Sequence, residues 1–438
     1  MTTRVRRSGR VGTILAVLLL VLGAGAAHGG IDGVTGTDFQ LTARADNFST
    51  PDGGAIMFWG YAEGSSRAQY PGPTLIVSQG STVTIGLTNT LDVPVSIVFP
   101  GQEGVTAMGG SAGLLTQEAA AGGGTVTYTF TADRAGTYMY HSGTTPELQI
   151  EMGLVGALIV RPYTGDDHAY NHADARFERE YLFLLSEMDS RIHELVATQG
   201  VAALEGTDYL SNYFPNYWFI NGRPALDSLF PAGVPWLPTQ PYGSLVLTHP
   251  GEKMLMRFIG AGRHSHPFHT HGNHARTIAR DGFLLSSGPG AGADLSQEEF
   301  TFSSVPGQTL DAIFEWTGRE MGWDIYGDPD NPDYAHTCID GDADDFDDGT
   351  SEYCPDHGKP IPVGLPEKQD LTFGGFWSGS PYLGTTGSLP PGEGGLNPNG
   401  GFGFMWHSHA EKELLNFDIF PGGMMTMLII EAPGVPLP

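Results

Sequence analysis

The chain has 438 residues, including 63 glycines and 31 prolines, and a formal net charge of −28. This length allows two or three ordinary domains, and the many turn-forming residues favour short strands over long helices. The negative charge argues against nucleic acid or an anionic lipid surface as a partner, and solubility alone accounts for it.

The first 26 residues predict an export signal. A basic segment that contains Arg6, Arg7 and Arg10 precedes the apolar run Val11–Leu22. The small residues Ala24-Gly25-Ala26 then offer a cleavage site. The apolar run is too short for a comfortable membrane span. We therefore expect a signal peptide at residues 1–26 and an exported protein without a membrane span, either periplasmic or secreted.

Residues 38–163 predict the first domain. Apolar residues alternate with polar ones in several segments, for example Val83, Ile85 and Leu87 within Ser81–Asn89. A strand is also expected at Val95–Phe99. About eight short strands in such a stretch are typical of a Greek-key sandwich. Residues 164–178 are polar and predict a linker.

Residues 179–438 predict a second sandwich, which makes the fold class all-β. Arg179–Ser186 restarts the strand pattern, and Glu187–Thr198 has room for a short helix. Asn212–Pro241 reads as an ordered loop with a strand at Tyr217–Ile220. A long insertion, at about residues 318–399, interrupts the later strands.

Histidines in His-x-His spacing mark the candidate metal site. Five of them fall within His264–His274, where Pro267 and Gly272 exclude a helix. On an extended chain, residues two apart face the same side, so His269 and His271 would point the same way. Neutral imidazole is a common ligand for copper and zinc. A surface histidine cluster is the alternative, but the strand-like flanks and a second His-x-His near the end of the chain argue against it.

Several motifs together resemble the multicopper oxidases of the laccase type, which are built from cupredoxin domains. The resemblance implies two cupredoxin-like Greek-key β-sandwich domains. No separate middle domain is visible, so the chain is most similar to the two-domain members. The motifs are Gly80–Asn89, Gly136–Ser142, Gly153-Leu154-x-Gly156, His266-Pro267-x-His269-x-His271-Gly272, and Trp406-His407-Ser408-His409 with Gly423-Met424-Met425.

In that family, four His-x-His motifs supply eight histidines to a trinuclear copper cluster that reduces dioxygen to water. The resemblance implies five copper ligands here, which are His141, His269, His271, His407 and His409. Val98 and Pro100 stand where the first motif has histidines, and Gly143 replaces the partner of His141. The pattern is therefore degenerate, and one well-held copper is expected rather than three.

The family's separate blue copper takes electrons from substrate through a Cys thiolate, two histidines and an axial Met. Here His266 occupies the first histidine position and is a further candidate copper ligand. Ser408 stands at the thiolate position and Glu413 at the second histidine position, while Met424 and Met425 remain in the axial region. A serine hydroxyl is a poor copper ligand. We therefore predict that the blue copper, and with it the usual electron entry route, is missing.

The insertion contains the chain's two cysteines, Cys338 and Cys354. In an exported protein this pair predicts a disulfide. Acidic residues between them, with Asp345 at the position of the usual turn glycine, resemble a calcium-binding loop. A solvated acidic loop fits the same pattern. The candidate calcium ligands are Asp340, Asp342, Asp344 and Asp348.

These features predict an exported copper oxidoreductase that uses dioxygen or another small oxidant and a small-molecule substrate that the sequence does not identify. A copper-binding or storage protein without turnover, and a cupredoxin scaffold with a relic site, are the alternatives. In two-domain relatives the copper histidines meet between subunits of a homotrimer, and in three-domain relatives within one chain. The resemblance to the two-domain members favours the homotrimer.

Overall fold

The computed structural model describes residues 30–319, 337–356, 401–431 and 433–438. The predicted signal peptide and most of the predicted insertion lie outside these residues. The described chain is built from β-strands with two short α-helices, α1 (Pro146–Gln149) and α2 (Ser190–Gln199). No helix within the described residues is long and apolar enough to cross a membrane.

The first sandwich packs a four-stranded sheet, in the order β1-β4-β11-β10, against a five-stranded sheet, in the order β3-β2-β5-β9-β6. A small hairpin, β7-β8, accompanies them. The strands are β1 (Val34–Thr35), β2 (Asp38–Ser49), β3 (Ala55–Glu63), β4 (Gly72–Ser78), β5 (Thr82–Asn89), β6 (Thr106–Met108), β7 (Ser111–Ala112), β8 (Gln117–Glu118), β9 (Gly124–Thr131), β10 (Gly136–His141) and β11 (Val155–Arg161).

The second sandwich packs a sheet in the order β13-β12-β15-β21-β17-β18, with β19 also paired to β17, against a sheet in the order β14-β23-β22-β16-β20. Its strands are β12 (Arg179–Met188), β13 (Tyr217–Ile220), β14 (Val246–Thr248), β15 (Met254–Gly260), β16 (His266–Thr270), β17 (Ala275–Arg280), β18 (Phe283–Leu284), β19 (Gln297–Glu299), β20 (Thr301–Ser304), β21 (Thr309–Phe314), β22 (Gly401–Ser408) and β23 (Met425–Glu431).

The all-β fold predicted from the sequence is confirmed by this architecture. Val83, Ile85 and Leu87 are buried in the core of the first sandwich, as their alternation on β5 predicts. The strand expected at Val95–Phe99 is wrong, because that segment forms only isolated bridges to Ala119 and His141.

Helix α2 lies where the sequence left room for a short helix, and a side-chain cap fixes its start. The carboxylate of Asp189 accepts a hydrogen bond from the backbone N–H of Arg191, and this satisfies a donor of the first turn. The helix therefore starts at Ser190.

Buried polar groups join the two sandwiches. Arg257 on β15 is fully buried and donates to Glu180 and to the hydroxyl of Thr137, which lies on β10 of the first sandwich. Thr137 in turn donates to Asp311 on β21, at 2.5 Å. Because a buried charge is costly unless it is paired, these contacts define one orientation of the sandwiches.

Candidate metal centre

The strands β16 and β22 lie side by side in antiparallel register and carry the His-x-His pairs. His269 is directly opposite His407, and Phe268 is opposite Ser408. Side chains alternate between the two faces of a sheet, so Phe268 and Ser408 point into the core while His269 and His407 point to the other face. The same rule places His266 on the core side, away from the two pairs.

Four of the five predicted copper ligands form one cluster, which we call the four-histidine cluster. The ring centroids of His271 and His407 are 4.6 Å apart, and those of His269 and His409 are 4.9 Å apart. The cross distances are 5.0 Å between His269 and His271 and 5.5 Å between His407 and His409. Tertiary structure thus brings together imidazoles that are more than a hundred positions apart in sequence.

Hydrogen bonds at Nδ1 orient two of these rings, and the one at His407 also fixes the tautomer. Nδ1 of His407 lies 2.5 Å from the carbonyl oxygen of Ser408, which can only accept, so this nitrogen carries the proton. Nδ1 of His269 lies 2.7 Å from the hydroxyl of Thr301. Such partners orient metal-binding histidines and leave Nε2 for the ion. Nε2 of His407 lies 2.6 Å from Nε2 of His271.

The inner rings are uncharged at neutral pH. Burial, reinforced by the neighbouring histidines, lowers the pKa of His271 to about 3. Burial and the nearby rings of His409 and His269 also lower the pKa of His407 to about 4, although the Ser408 carbonyl acts in the opposite direction. Neutral imidazole is the form that binds copper. The donor set therefore fits the copper that the resemblance implies.

The cluster opens to solvent on one side. His271 and His407 are buried, whereas the side chain of His409 is 54% exposed. Phe300, itself exposed, lies with its ring 5.7 Å from that of His269 and forms part of the rim. The cluster therefore meets solvent through His409.

His141 stands apart from the four. It ends β10 in the first sandwich, where its backbone pairs with Val98 and its Nδ1 lies 2.9 Å from the carbonyl oxygen of Ser142. Burial lowers the pKa of His141, which favours a neutral ring. The ring contacts recorded among the described residues link the four-histidine cluster but do not extend to His141.

Packing closes the position next to His141 where the family has another histidine. A Cβ atom on Gly143 would lie 2.7 Å from Cγ1 of Val98 and 3.1 Å from the hydroxyl of Ser96. Val98 itself stands at a family histidine position. The absence of histidine at position 143 is therefore linked to Val98, because the Val98 side chain fills the space that a side chain at position 143 would need.

His266 has an ion-paired position and not the copper-ligand position that the resemblance implies. Its Nδ1 lies 2.9 Å from Oε2 of Glu413, and its Nε2 lies 2.8 Å from Oε2 of Glu187. Burial favours the neutral ring, but these two carboxylates outweigh it and raise the pKa of His266 to about 9. Neither ring nitrogen is left for a metal in this arrangement.

The blue copper of the family does not fit this position. Ser408 is fully buried, and its hydroxyl accepts a hydrogen bond from the backbone N–H of Ala410. It offers no thiolate, and the carboxylate of Glu413 is directed at His266. Sequence reasoning missed Glu187. Its signal was an acidic residue near the end of β12, shortly after the apolar run Leu182–Leu185.

The predicted cysteine pair and acidic loop lie together. Cys338 and Cys354 form a disulfide with Cα atoms 5.8 Å apart. Between them, oxygen atoms of Asp340, Asp342 and Asp344 lie within 4.8 Å of one another, and all three residues are exposed. Both carboxylate oxygens of Asp340 accept backbone N–H groups within the loop, and Asp348 accepts from Gly341. Calcium binding stays a prediction from the sequence.

Comparisons with known proteins agree with the fold. Residues 54–165 match a family model described as multicopper oxidase. A stretch of 140 residues is 33% identical to L-ascorbate oxidase of Brassica rapa subsp. pekinensis, covering 31% of this chain and 22% of that protein. A stretch of 169 residues is 32% identical to laccase abr2 of Aspergillus fumigatus (strain ATCC MYA-4609 / CBS 101355 / FGSC A1100 / Af293), covering 36% of this chain and 27% of that protein.

Among solved structures, the multicopper oxidase mgLAC resembles the chain with a TM-score of 0.55 and 18% sequence identity, over 92% of this chain and 87% of that one. At this identity the likeness concerns the fold. The match over residues 54–165 and these two relatives support the resemblance to the multicopper oxidases that the motifs carry. The matches span only 22% and 27% of the two named relatives' own lengths.

Proposed function

We propose that this protein is an exported, copper-dependent oxidoreductase that lacks the blue copper and acts through the four-histidine cluster. The observation that carries the proposal is the 2.6 Å approach of Nε2 of His271 to Nε2 of His407, two neutral rings in a buried setting. A pair of imidazole nitrogens without a carboxylate between them is an uncharged nitrogen donor set, which suits copper better than calcium or magnesium.

Each member of the cluster has a distinct task in this proposal. His271 and His407 would hold the ion from the inside, and the carbonyl of Ser408 would keep His407 in the correct tautomer. His269 and His409 would complete the site on the exposed side. Bound copper supplies one-electron redox chemistry and an open position for a small oxidant such as dioxygen. The electron donor would be a small molecule that approaches past His409, since no blue copper relays its electrons.

His141 would complete the site in a homotrimer. Its ring stands apart from the four-histidine cluster, and apolar side chains are exposed around it. Leu115 is 58% exposed, and its Cβ lies 3.4 Å from the position that a Cβ of residue 143 would take. Leu114 and Met108, close to Leu115 in sequence, are also exposed. The other half of the interface would be the rim at Phe300. Docking of this patch onto the rim of a second copy buries apolar surface and brings His141 to that copy's cluster.

The names of the two relatives, an L-ascorbate oxidase and a laccase, favour turnover over storage. The test is to load the purified protein with copper, measure the metal content, and record an electron paramagnetic resonance spectrum together with oxygen uptake. We expect bound copper with an ordinary, non-blue signal and oxygen consumption with a small reductant. Tight copper binding without oxygen uptake would instead identify a storage protein. A folded protein that binds no copper would identify a relic scaffold.

A further inference from the structure

The place that resembles a blue copper site contains a Glu–His–Glu triad, formed by Glu187, His266 and Glu413. Both ring nitrogens of His266 face carboxylate oxygens, at 2.8 and 2.9 Å. An ionised carboxylate only accepts, so both nitrogens must donate and the ring is an imidazolium. All three residues are buried. The triad is a charged, hydrogen-bonded unit in a part of the core that the family's metal would otherwise organise.

Each member of the triad lies on a different element. Glu187 is on β12 of one sheet, and His266 opens β16 of the facing sheet. Glu413 lies in the 3₁₀ turn Glu411–Leu414, directly after the second His-x-His pair. The triad therefore ties the strand that carries His269 to the turn that follows His409.

Backbone hydrogen bonds connect Glu187 and Glu413 to the neighbouring segments. Oε1 of Glu187 accepts from the backbone N–H groups of Arg263 and His264, which lead into β16. The carbonyl of Glu413 accepts from the N–H of Met424 at 2.7 Å. A shift of either carboxylate would therefore move the segments that flank both His-x-His pairs.

We infer that the Glu–His–Glu triad is a metal-free lock whose role is to position the four-histidine cluster. This inference rests on the proposed copper function for its purpose, but the lock itself is a property of the metal-free protein. The triad's residues are positioning residues, because they act on the copper histidines through β16 and the turn behind β22. The triad does not bind a metal itself, since its carboxylates lie on opposite sides of the ring.

The test compares Glu413→Ala with Glu413→Gln, with Glu194→Ala as the control. Glu194 is an exposed carboxylate on α2, away from the triad. The amide oxygen of glutamine can still accept from Nδ1 of His266, whereas alanine leaves that donor unpaired. Copper affinity is measured by chelator competition at a temperature where all variants are folded. Loss of a partner that orients metal ligands typically weakens affinity about 10- to 100-fold.

We expect that loss for Glu413→Ala, a nearly wild-type affinity for Glu413→Gln, and no change for Glu194→Ala. Unchanged copper affinity in a folded Glu413→Ala protein would overturn the inference, even if its melting temperature fell, because the triad would then stabilise the fold alone.

A second readout needs no metal. Imidazole ¹⁵N resonances of His271 and His407 in the metal-free protein report their mutual hydrogen bond, and we expect them to shift in Glu413→Ala but not in Glu194→Ala. If the wild type takes up no copper, the proposed function fails. These resonances still test whether the triad positions the four-histidine cluster. Unchanged resonances in Glu413→Ala would refute it.

Discussion

Nε2 of His271 and Nε2 of His407 lie 2.6 Å apart, although the two residues are 136 positions apart in the chain. The pairing of β16 with β22 produces this approach, and burial keeps both rings neutral.

Removal of both inner ligands should abolish copper binding. In His271→Ala/His407→Ala, the rings of half-buried His269 and exposed His409 remain, but the two buried donors are gone. We expect the copper content after dialysis to fall to background in elemental analysis. His264→Ala is the matched control, because His264 is exposed and its ring contacts Tyr213 and not the cluster. Unchanged copper stoichiometry in the double variant would show that the metal site lies elsewhere.

Copper-loaded wild-type protein should lack the intense blue absorption of a copper–thiolate bond. Ser408→Cys alone should not create it, because Glu413 still holds Nδ1 of His266. Ser408→Cys/Glu413→His, which supplies both a thiolate and a second imidazole, is the variant in which we expect the blue band. Absorption spectra decide between them, and a blue wild type or a blue single variant would contradict our assignment of this position.

Restoring the histidine beside His141 should destabilise the protein. Gly143→His places a side chain against Val98, and overpacking of this kind costs about 1–3 kcal/mol. Val98→Ala in the same chain should recover part of that loss. Urea unfolding measures both variants. Equal midpoints for Gly143→His and the wild type would mean that the space next to Val98 is open.

The triad predicts a loss of stability in alkali. The pKa of His266 is raised to about 9, compared with about 6.5 in an unfolded chain. Below pH 6.5 the raised pKa of His266 contributes its full stabilisation to the fold. This contribution declines as the pH rises and is lost above about pH 9. The pKa difference corresponds to about 3 kcal/mol.

The groups that face His266 are Glu187 and Glu413, with Tyr213 and Arg263 behind Glu187. Unfolding free energies measured from pH 6 to pH 10 should fall more steeply for the wild type than for His266→Gln, which cannot titrate there. Parallel curves for the two proteins would contradict an imidazolium at this position.

The proposed trimer contact predicts that Leu115→Asp should dissociate the assembly. A carboxylate at this exposed apolar position would be buried in the interface without a partner. Light scattering should show a shift from three copies to one. Leu210→Asp is the control, since Leu210 is equally exposed, at 57%, but lies away from His141 in the loop after α2. A wild type that is a monomer with full copper binding would refute the shared site.

Local patterns in the sequence were sufficient for much of the fold and for identifying the two His-x-His pairs. Alternation of period two identified β5, and the exact bounds of β13 were predicted at Tyr217–Ile220. The same periodicity placed His269 and His271 on one side of the chain. The departures from the family motif at Ser408 and Glu413 could also be read from the sequence, because the motif fixes which positions to compare.

What only the tertiary structure decided involves contacts between distant segments. Glu187 and Glu413 reach His266 from 79 and 147 positions away, and no local spacing encodes such a meeting. The apposition of Val98 and Gly143 likewise depends on a bridge between separate segments. A residue's neighbours along the strand follow from backbone geometry, but its neighbours across a sandwich follow from how the sheets pack, and that packing turned an expected copper ligand into the centre of an ionic lock.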